Sequence, residues 1–221
     1  MTLKLFFHPL SSFCQKALIA LYENDTAFEP VPVNLGDPVA SAPFRALWPM
    51  AKIPVLRDEA RDRTLAETPI IIEYLDLHYP GPTRFLPRDA ERALEVRFWD
   101  RFFDHFVQYP MQKIVTDALR PAGGNDPPGV EQARAQLRQA YAVIEERLPA
   151  NPWACGEAFS LADCAAAPAL FYANTVLRFG AEQRRLAGYL ARLKERPSYA
   201  RALREAEPFF KFFPLDPKPR L

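Results

Sequence analysis

The chain has 221 residues, 49% of them hydrophobic and 25% charged, with a formal net charge of +1. That length suffices for one large domain or two modest ones, each burying its own core. The near-neutral, interspersed charge removes the electrostatic basis for a nucleic acid or an anionic membrane as partner, and no apolar run reaches the length of a membrane span.

Residues 3–7 read as a short strand and residues 13–23 as a helix carrying Ala17, Leu18, Ala20 and Leu21. Residues 28–35 alternate through Val31 and Val33 as a second strand, which Pro30 and Pro32 confine to a sheet edge. The stretch 36–50 holds three prolines and reads as irregular, with a helical turn at 44–47. Residues 53–57 form a third strand, 58–63 a polar turn and 64–66 a fourth strand. Residues 67–79 form a helix that tolerates Pro69 in its first turn, where no backbone donor is needed.

Tyr79-Pro80-Gly81-Pro82 then punctuates the chain, and strands vanish after it. Residues 88–109 read as one long helix stopped by Pro110, followed by helical segments at 112–119, 130–148, 160–177 (with a kink at Pro168), 182–195 and 198–205; residues 120–129 form a Pro/Gly loop. A βα front followed by a helical back implies two segregated units: 1–79, a linker at 80–87, and 88–221.

Cys14, Cys155 and Cys164 are odd in number and lack disulfide or metal-ligand spacing, so the expectation is a reducing cytoplasm and no metal. Residues 1–7 carry no hydrophobic stretch of signal-peptide length. Cys164, in an Ala-rich helix, reads as a small buried apolar group.

Four local features carry the functional argument. The first is the strand-to-helix turn His8-Pro9-Leu10-Ser11-Ser12-Phe13-Cys14, in which one serine suits a helix N-cap and a second hydroxyl is available to a bound thiol. The second is Lys52-Ile53-Pro54-Val55, where a proline enters a strand. The third is Glu67-Thr68-Pro69-Ile70, an acid and a hydroxyl opening an amphipathic helix, suited either to capping or to collecting a ligand carboxylate on free N–H groups. The fourth is Phe159-Ser160-Leu161-Ala162-Asp163, which has capping-box spacing and a structural role.

Together these features, over residues 3–205, resemble the cytosolic glutathione transferase family: an α+β thioredoxin-like domain followed by an all-α helical domain. Ser11-x-x-Cys14 resembles the thioredoxin C-x-x-C with serine at the nucleophile position, nearest the theta- and zeta-like serine-type members. Phe6 and Phe7 stand where tyrosine-type members keep their catalytic tyrosine.

The resemblance implies a cytoplasmic homodimer that uses glutathione as co-substrate. Ser11, with Ser12 as second choice, would hydrogen-bond the glutathione sulfur. Ile53, before the family's cis-proline at Pro54, would pair its backbone with the cysteinyl portion. Glu67 would take the γ-glutamyl ammonium, Thr68 the γ-glutamyl carboxylate and Lys52 the glycyl carboxylate. Lowering a thiol from about pKa 8.5 by two units needs about 2.7 kcal/mol. One charged hydrogen bond contributes about 1.5–3 kcal/mol and a helix N-terminus about 0.3–1 kcal/mol, so no base is required.

Trp99, Phe102, Phe103, Phe106, Tyr109 and Met111 form an aromatic helical face, half of it expected as plain core. Trp99, Phe103, Phe106 and Tyr109 are the expected electrophile pocket. The tail, residues 209–215 with four phenylalanines, must cover the pocket or dock on the helical unit or a partner.

The chain departs from the family pattern in three places. Trp48-Pro49-Met50-Ala51-Lys52 replaces Asn-Pro-x-Gly-Lys, Ala40 stands where a His is common, and Thr68 replaces Ser. Two rival readings are a transferase-like scaffold working through protein contacts and a thiol reductase using Cys14. Serine at the nucleophile position argues against the reductase, and Cys14 is expected to be a buried structural thiol.

Overall fold

The computed structural model describes residues 2–148 and 151–221. Its front part holds a four-stranded sheet in the order β2-β1-β3-β4, formed by β1 (Leu3–Phe7), β2 (Glu29–Pro32), β3 (Val55–Asp58) and β4 (Arg63–Ala66). β1 pairs parallel with β2 and antiparallel with β3, and β3 pairs antiparallel with β4. In β1 the side chains of Leu3, Leu5 and Phe7 are buried while those between them are half-exposed, the two-residue period of a strand with one covered face. β2 lies at the edge, where the missing donors of Pro30 and Pro32 cost no ladder bonds.

Three helices complete this part: α1 (Ser12–Glu23), the short α2 (Ala42–Leu47) and α3 (Thr68–His78). The remainder is helical: α4 (Ala90–Phe102), a π-helical segment (Phe103–Gln108), α5 (Tyr109–Asp117), α6 (Pro127–Arg147), α7 (Leu161–Val176), α8 (Arg184–Glu195), α9 (Pro197–Ala206) and a 3₁₀ segment (Glu207–Phe212).

α1 is the element both parts share. It packs on α3 in the front and on α7 and α9 in the back, and Cys14 through Leu21 are all buried. Its polar residues reach across. The Gln15 amide donates to the Tyr172 hydroxyl at 2.9 Å, and the Lys16 ammonium pairs with Asp100 at 2.5 Å and Asp104 at 2.8 Å. The Glu23 carboxylate pairs with Arg196. The segment between the parts is held as well, since the Asn24 side chain exchanges two 2.9 Å hydrogen bonds with the Thr83 backbone.

The fourth sequence feature folds as a capping box. The Ser160 N–H donates to the Asp163 carboxylate at 2.9 Å, and that buried carboxylate also accepts the Tyr189 hydroxyl at 2.6 Å and the Ala154 N–H at 2.9 Å.

Two expectations need correction. Pro110 does not stop the long helix. The chain widens to π-helical turns through Phe103–Gln108, with the Tyr109 N–H reaching the Asp104 carbonyl, and Pro110 then falls in the first turn of α5. In that turn its missing donor is tolerated. Helix α6 begins at Pro127, inside the expected loop, where the Asp126 side chain caps the Gly129 N–H at 3.0 Å and the prolines take first-turn positions. Pro168 sits within α7, which continues through it.

Candidate functional site

Two concavities meet beside the N-terminus of α1. One is a small cleft lined by Phe13, Trp48, Lys52, Ile53, Glu67 and Thr68. The other is a cavity of about 430 Å³ whose floor includes His8, Ser11, Ser12 and Ile53. Ile53 lines both, so the cleft that holds Lys52, Glu67 and Thr68 and the cavity that holds Ser11 and Ser12 share one residue.

Ser11 is the N-cap of α1, and its hydroxyl oxygen accepts the Cys14 N–H at 3.4 Å. Capping uses a lone pair and does not itself consume the hydroxyl hydrogen. Ser12, the first helical residue, is buried against the same cavity. Cys14 faces inward and is fully buried. Burial pushes its thiol up to about 12, only partly offset by hydrogen bonds to Ser11 and the His8 N–H. A thiol so placed is structural. His8 also lies on the cavity. Its Nδ1 accepts the Leu10 N–H at 3.2 Å, and burial lowers its pKa from the usual 6.5.

The Ile53–Pro54 peptide is cis, at the entry to β3. Ala51, just before it, has φ 51°, in the left-handed region that favours glycine. The glycine absent from the sequence is therefore still asked for by the backbone. Glu67 also has positive φ, at 66°, and stands at the N-terminal end of α3 with its side chain making no cap hydrogen bond. Strained backbone of this kind persists where the surroundings hold it, commonly at ligand-binding positions. Thr68 is buried beside it at the first turn of α3, and Lys52 is exposed at the rim.

The residues expected to line the electrophile pocket are placed elsewhere. Trp99 and Phe103 are buried in the helical core, packed ring on ring at 5.8 Å. Phe106 and Tyr109 are about half-exposed, outside the cavity. The helical wall of the cavity comes instead from Met111, Gln112, Val115 and Leu119 on and just beyond α5. The π-helical segment takes more residues per turn than an α-helix, which shifts the inward face along the chain.

The aromatic tail supplies the opposite wall. Phe210 and Phe213 are buried against Phe171 and Tyr172 of α7, with the Phe213 ring stacked on Tyr172 at 5.9 Å. Phe212 and Pro214 face the cavity. The tail thus both docks on the helical part and covers the cavity, two of the three roles open to it. Tyr172 escaped sequence reasoning because a tyrosine within a long apolar helix carries no local signal. Among the described residues, no cluster of three or more His, Cys, Asp or Glu is arranged to hold a metal.

A thioredoxin-like sheet joined to a helical bundle, with a cleft holding Lys52, Glu67 and Thr68 beside a serine-capped helix, defines the glutathione transferase class of fold. Residues 5–83 match the family model for the glutathione S-transferase N-terminal domain and residues 127–206 that for its C-terminal domain. Glutathione S-transferase 3 of Zea mays is 34% identical over 73% of both chains. A stringent starvation protein A homolog of Pasteurella multocida is 30% identical over 92% of this chain and 91% of its own. A glutathione S-transferase of Methylobacillus flagellatus, solved with GSH bound, superposes with a TM-score of 0.79 at 25% identity, over 90% of this chain and 98% of that one. The chain belongs to the glutathione S-transferase family.

Proposed function

We propose that this protein binds glutathione, stabilises its thiolate, and joins it to a small hydrophobic electrophile in the cavity of about 430 Å³. The observation that carries the reading is that Ile53 is shared by the cleft holding Lys52, Glu67 and Thr68 and the cavity holding Ser11 and Ser12. A tripeptide lying across the two would present its charged ends to Glu67, Thr68 and Lys52 and its sulfur to Ser11. The Ile53 backbone, next to the cis Pro54, would offer strand-like pairing to the cysteinyl portion.

The chemistry needs little. The Ser11 hydroxyl donates to the sulfur at the positive end of α1, which favours thiolate over thiol. Ser12 is the second donor in reach of the same cavity. The thiolate then attacks the electrophile, and the apolar walls exclude competing water. Retention on immobilised glutathione and turnover of 1-chloro-2,4-dinitrobenzene test the reading. Glu67→Ala is expected to abolish retention, and Ser11→Ala to lower turnover.

We also propose that the protein is a homodimer. α3 and α4 present Ile70, Leu77, Leu94 and Phe98 to the outside, all at least half-exposed, and Ile70 and Leu77 line a broad concavity edged with arginines. Such a face is suited to a second copy. In the dimer the α3 helix would pack against the partner's long helices. Light scattering of the purified protein, with Phe98→Glu as the disruptive variant, measures this directly.

A second reading, a transferase-like module acting through protein contacts, is favoured by the Trp48 to Ala51 departures, and the Pasteurella relative carries the name of a stringent starvation protein, not of a transferase. Absence of a thermal shift at millimolar glutathione would select it.

A further inference from the structure

The formal charge of +1 hides a separation of charge along the chain. Residues 178–221 carry eleven Lys and Arg against five Asp and Glu, whereas residues 1–177 carry seventeen against twenty-two. Most of the excess lies on α8 and α9. α8 packs on α6, α7 and α9, and α9 packs on α1, so each helix turns one face outward. Leu186, Leu190 and Leu193 are buried from α8, and Ala202 and Leu203 from α9, which leaves the outer faces to charged residues. Two cations are spent inside the chain, Arg196 on Glu23 and Arg201 on Glu205 at 3.0 Å. Arg184, Arg185, Arg192, Lys194 and Arg204 make no ion pair among the described residues. Arg192 is held in place by its Nε, which donates to the Pro152 carbonyl at 3.1 Å. Between the helices lies a groove of about 470 Å³, lined by Ala191, Ala200 and Leu203 together with Lys194 and Arg204. Glu195 is the one acidic side chain in that lining.

We propose that the outer face of α8 and α9 docks an acidic segment of a partner protein. Its carboxylates meet the five unpaired cations, and its apolar side chains enter the groove between Lys194 and Arg204. The case rests on charge complementarity: cations without acids of their own, gathered on one face, steer and hold an anionic partner. Arginine forks suit carboxylates in particular, because each can donate two parallel hydrogen bonds. A nucleic acid fits this face less well. The aromatic residues of the two helices, Tyr189 and Tyr199, are fully buried, so no ring is offered for a base to stack on. A groove floored by alanine and leucine receives apolar side chains instead. The face shares no residue with the α3 and α4 surface assigned to the homodimer, so the two contacts do not compete. The proposal goes beyond the glutathione reading and does not depend on it.

The probe is a fluorescein-labelled peptide of about 20 residues repeating Glu-Glu-Leu, titrated with the full chain in about 50 mM NaCl while its anisotropy is followed. Arg185→Glu with Arg204→Glu reverses one exposed cation on each helix. Arg92→Glu with Arg147→Glu, exposed on α4 and α6, makes the same change in net charge elsewhere. Affinity is expected to fall at least about tenfold in the first double variant and less than about twofold in the second, and to weaken as salt rises. Absence of binding by the unaltered protein, or equal losses in the two variants, overturns the proposal. Tighter binding of a single-stranded oligonucleotide of equal charge overturns it in favour of nucleic acid. Should the first variant not accumulate folded, the unaltered protein serves. A carbodiimide joins a bound carboxylate to a neighbouring lysine, and Lys194 is expected to be coupled to the peptide. Coupling confined to lysines outside α8 and α9 overturns the proposal.

Discussion

Ser11 accepts the Cys14 amide hydrogen at 3.4 Å, so its hydroxyl closes the helix with a lone pair and does not spend its hydrogen on the cap. Capping and thiolate stabilisation are thereby compatible in a single side chain, and substitution can separate them. Ser11→Ala loses both, at a cost of about 1 kcal/mol in unfolding free energy. Ser11→Asp keeps a good cap but has no hydrogen to donate and repels a thiolate. Turnover is expected to fall by about 10- to 100-fold in Ser11→Ala and at least as far in Ser11→Asp, the scale of one charged hydrogen bond. Thermal stability is expected to fall only in Ser11→Ala. Calorimetry beside kinetics checks both.

Cys14 is shut away behind that cap. With its thiol pushed up to about 12 by burial, it is expected to resist iodoacetamide at pH 8 in the folded protein and to react only after unfolding. Mass spectrometry of the alkylated protein reads this. Rapid native-state labelling would revive the reductase reading.

Ala51 occupies the left-handed region at φ 51°, where an L side chain costs about 1–2 kcal/mol. Ala51→Gly is expected to stabilise the fold by about 1 kcal/mol, or about 2–4 °C in Tm for a chain of this size. A lower Tm would show that the surroundings do not hold this strain.

Lys16, Asp100, Asp104 and Arg101 form a network, neutral overall, between α1 and the start of the π-helical segment, and the first three are nearly or fully buried. Lys16→Met leaves two carboxylates sharing the single Arg101 guanidinium and is expected to cost about 3–5 kcal/mol in urea unfolding. Adding Asp104→Asn restores charge balance, with Arg101 left beside Asp100, and is expected to recover part of that loss.

Much of the fold was legible because its signals are local. Pro30 and Pro32 marked an edge, Ser160 and Asp163 a capping box, and Tyr79 to Pro82 the end of the strands. The turn at Ser11 and the Glu67-Thr68 pair were legible for the same reason. The cavity walls were not. Pro110 normally stops a helix, and only the wider turns through Phe103–Gln108 accommodate it, so the expected pocket face at Trp99 and Phe103 lies in the core. Tyr172 and the aromatic tail meet the site only through tertiary contact, which no periodicity encodes.

Glu23 ties the C-terminal end of α1 to Arg196 at the N-cap of α9. Burial alone would raise its pKa, but the Arg196 guanidinium, which pairs with it, and the hydrogen bond from Thr83 help outweigh that and hold it below the usual 4.5. A lowered native pKa means the contribution is present above pH 4.5 and is lost as pH falls through the native value. Glu23→Gln is therefore expected to be less stable than the unaltered protein at pH 7, by about 1.5–3 kcal/mol. The gap should narrow in more acidic buffer, as thermal melts across pH would record.

The central claim is positional, and a crystal structure with glutathione bound reads it most directly. The sulfur is expected within hydrogen-bonding distance of the Ser11 or Ser12 hydroxyl, the γ-glutamyl end at Glu67 and Thr68, and the cysteinyl backbone paired with Ile53. Glutathione bound away from Ile53, with its sulfur near neither serine, would contradict it.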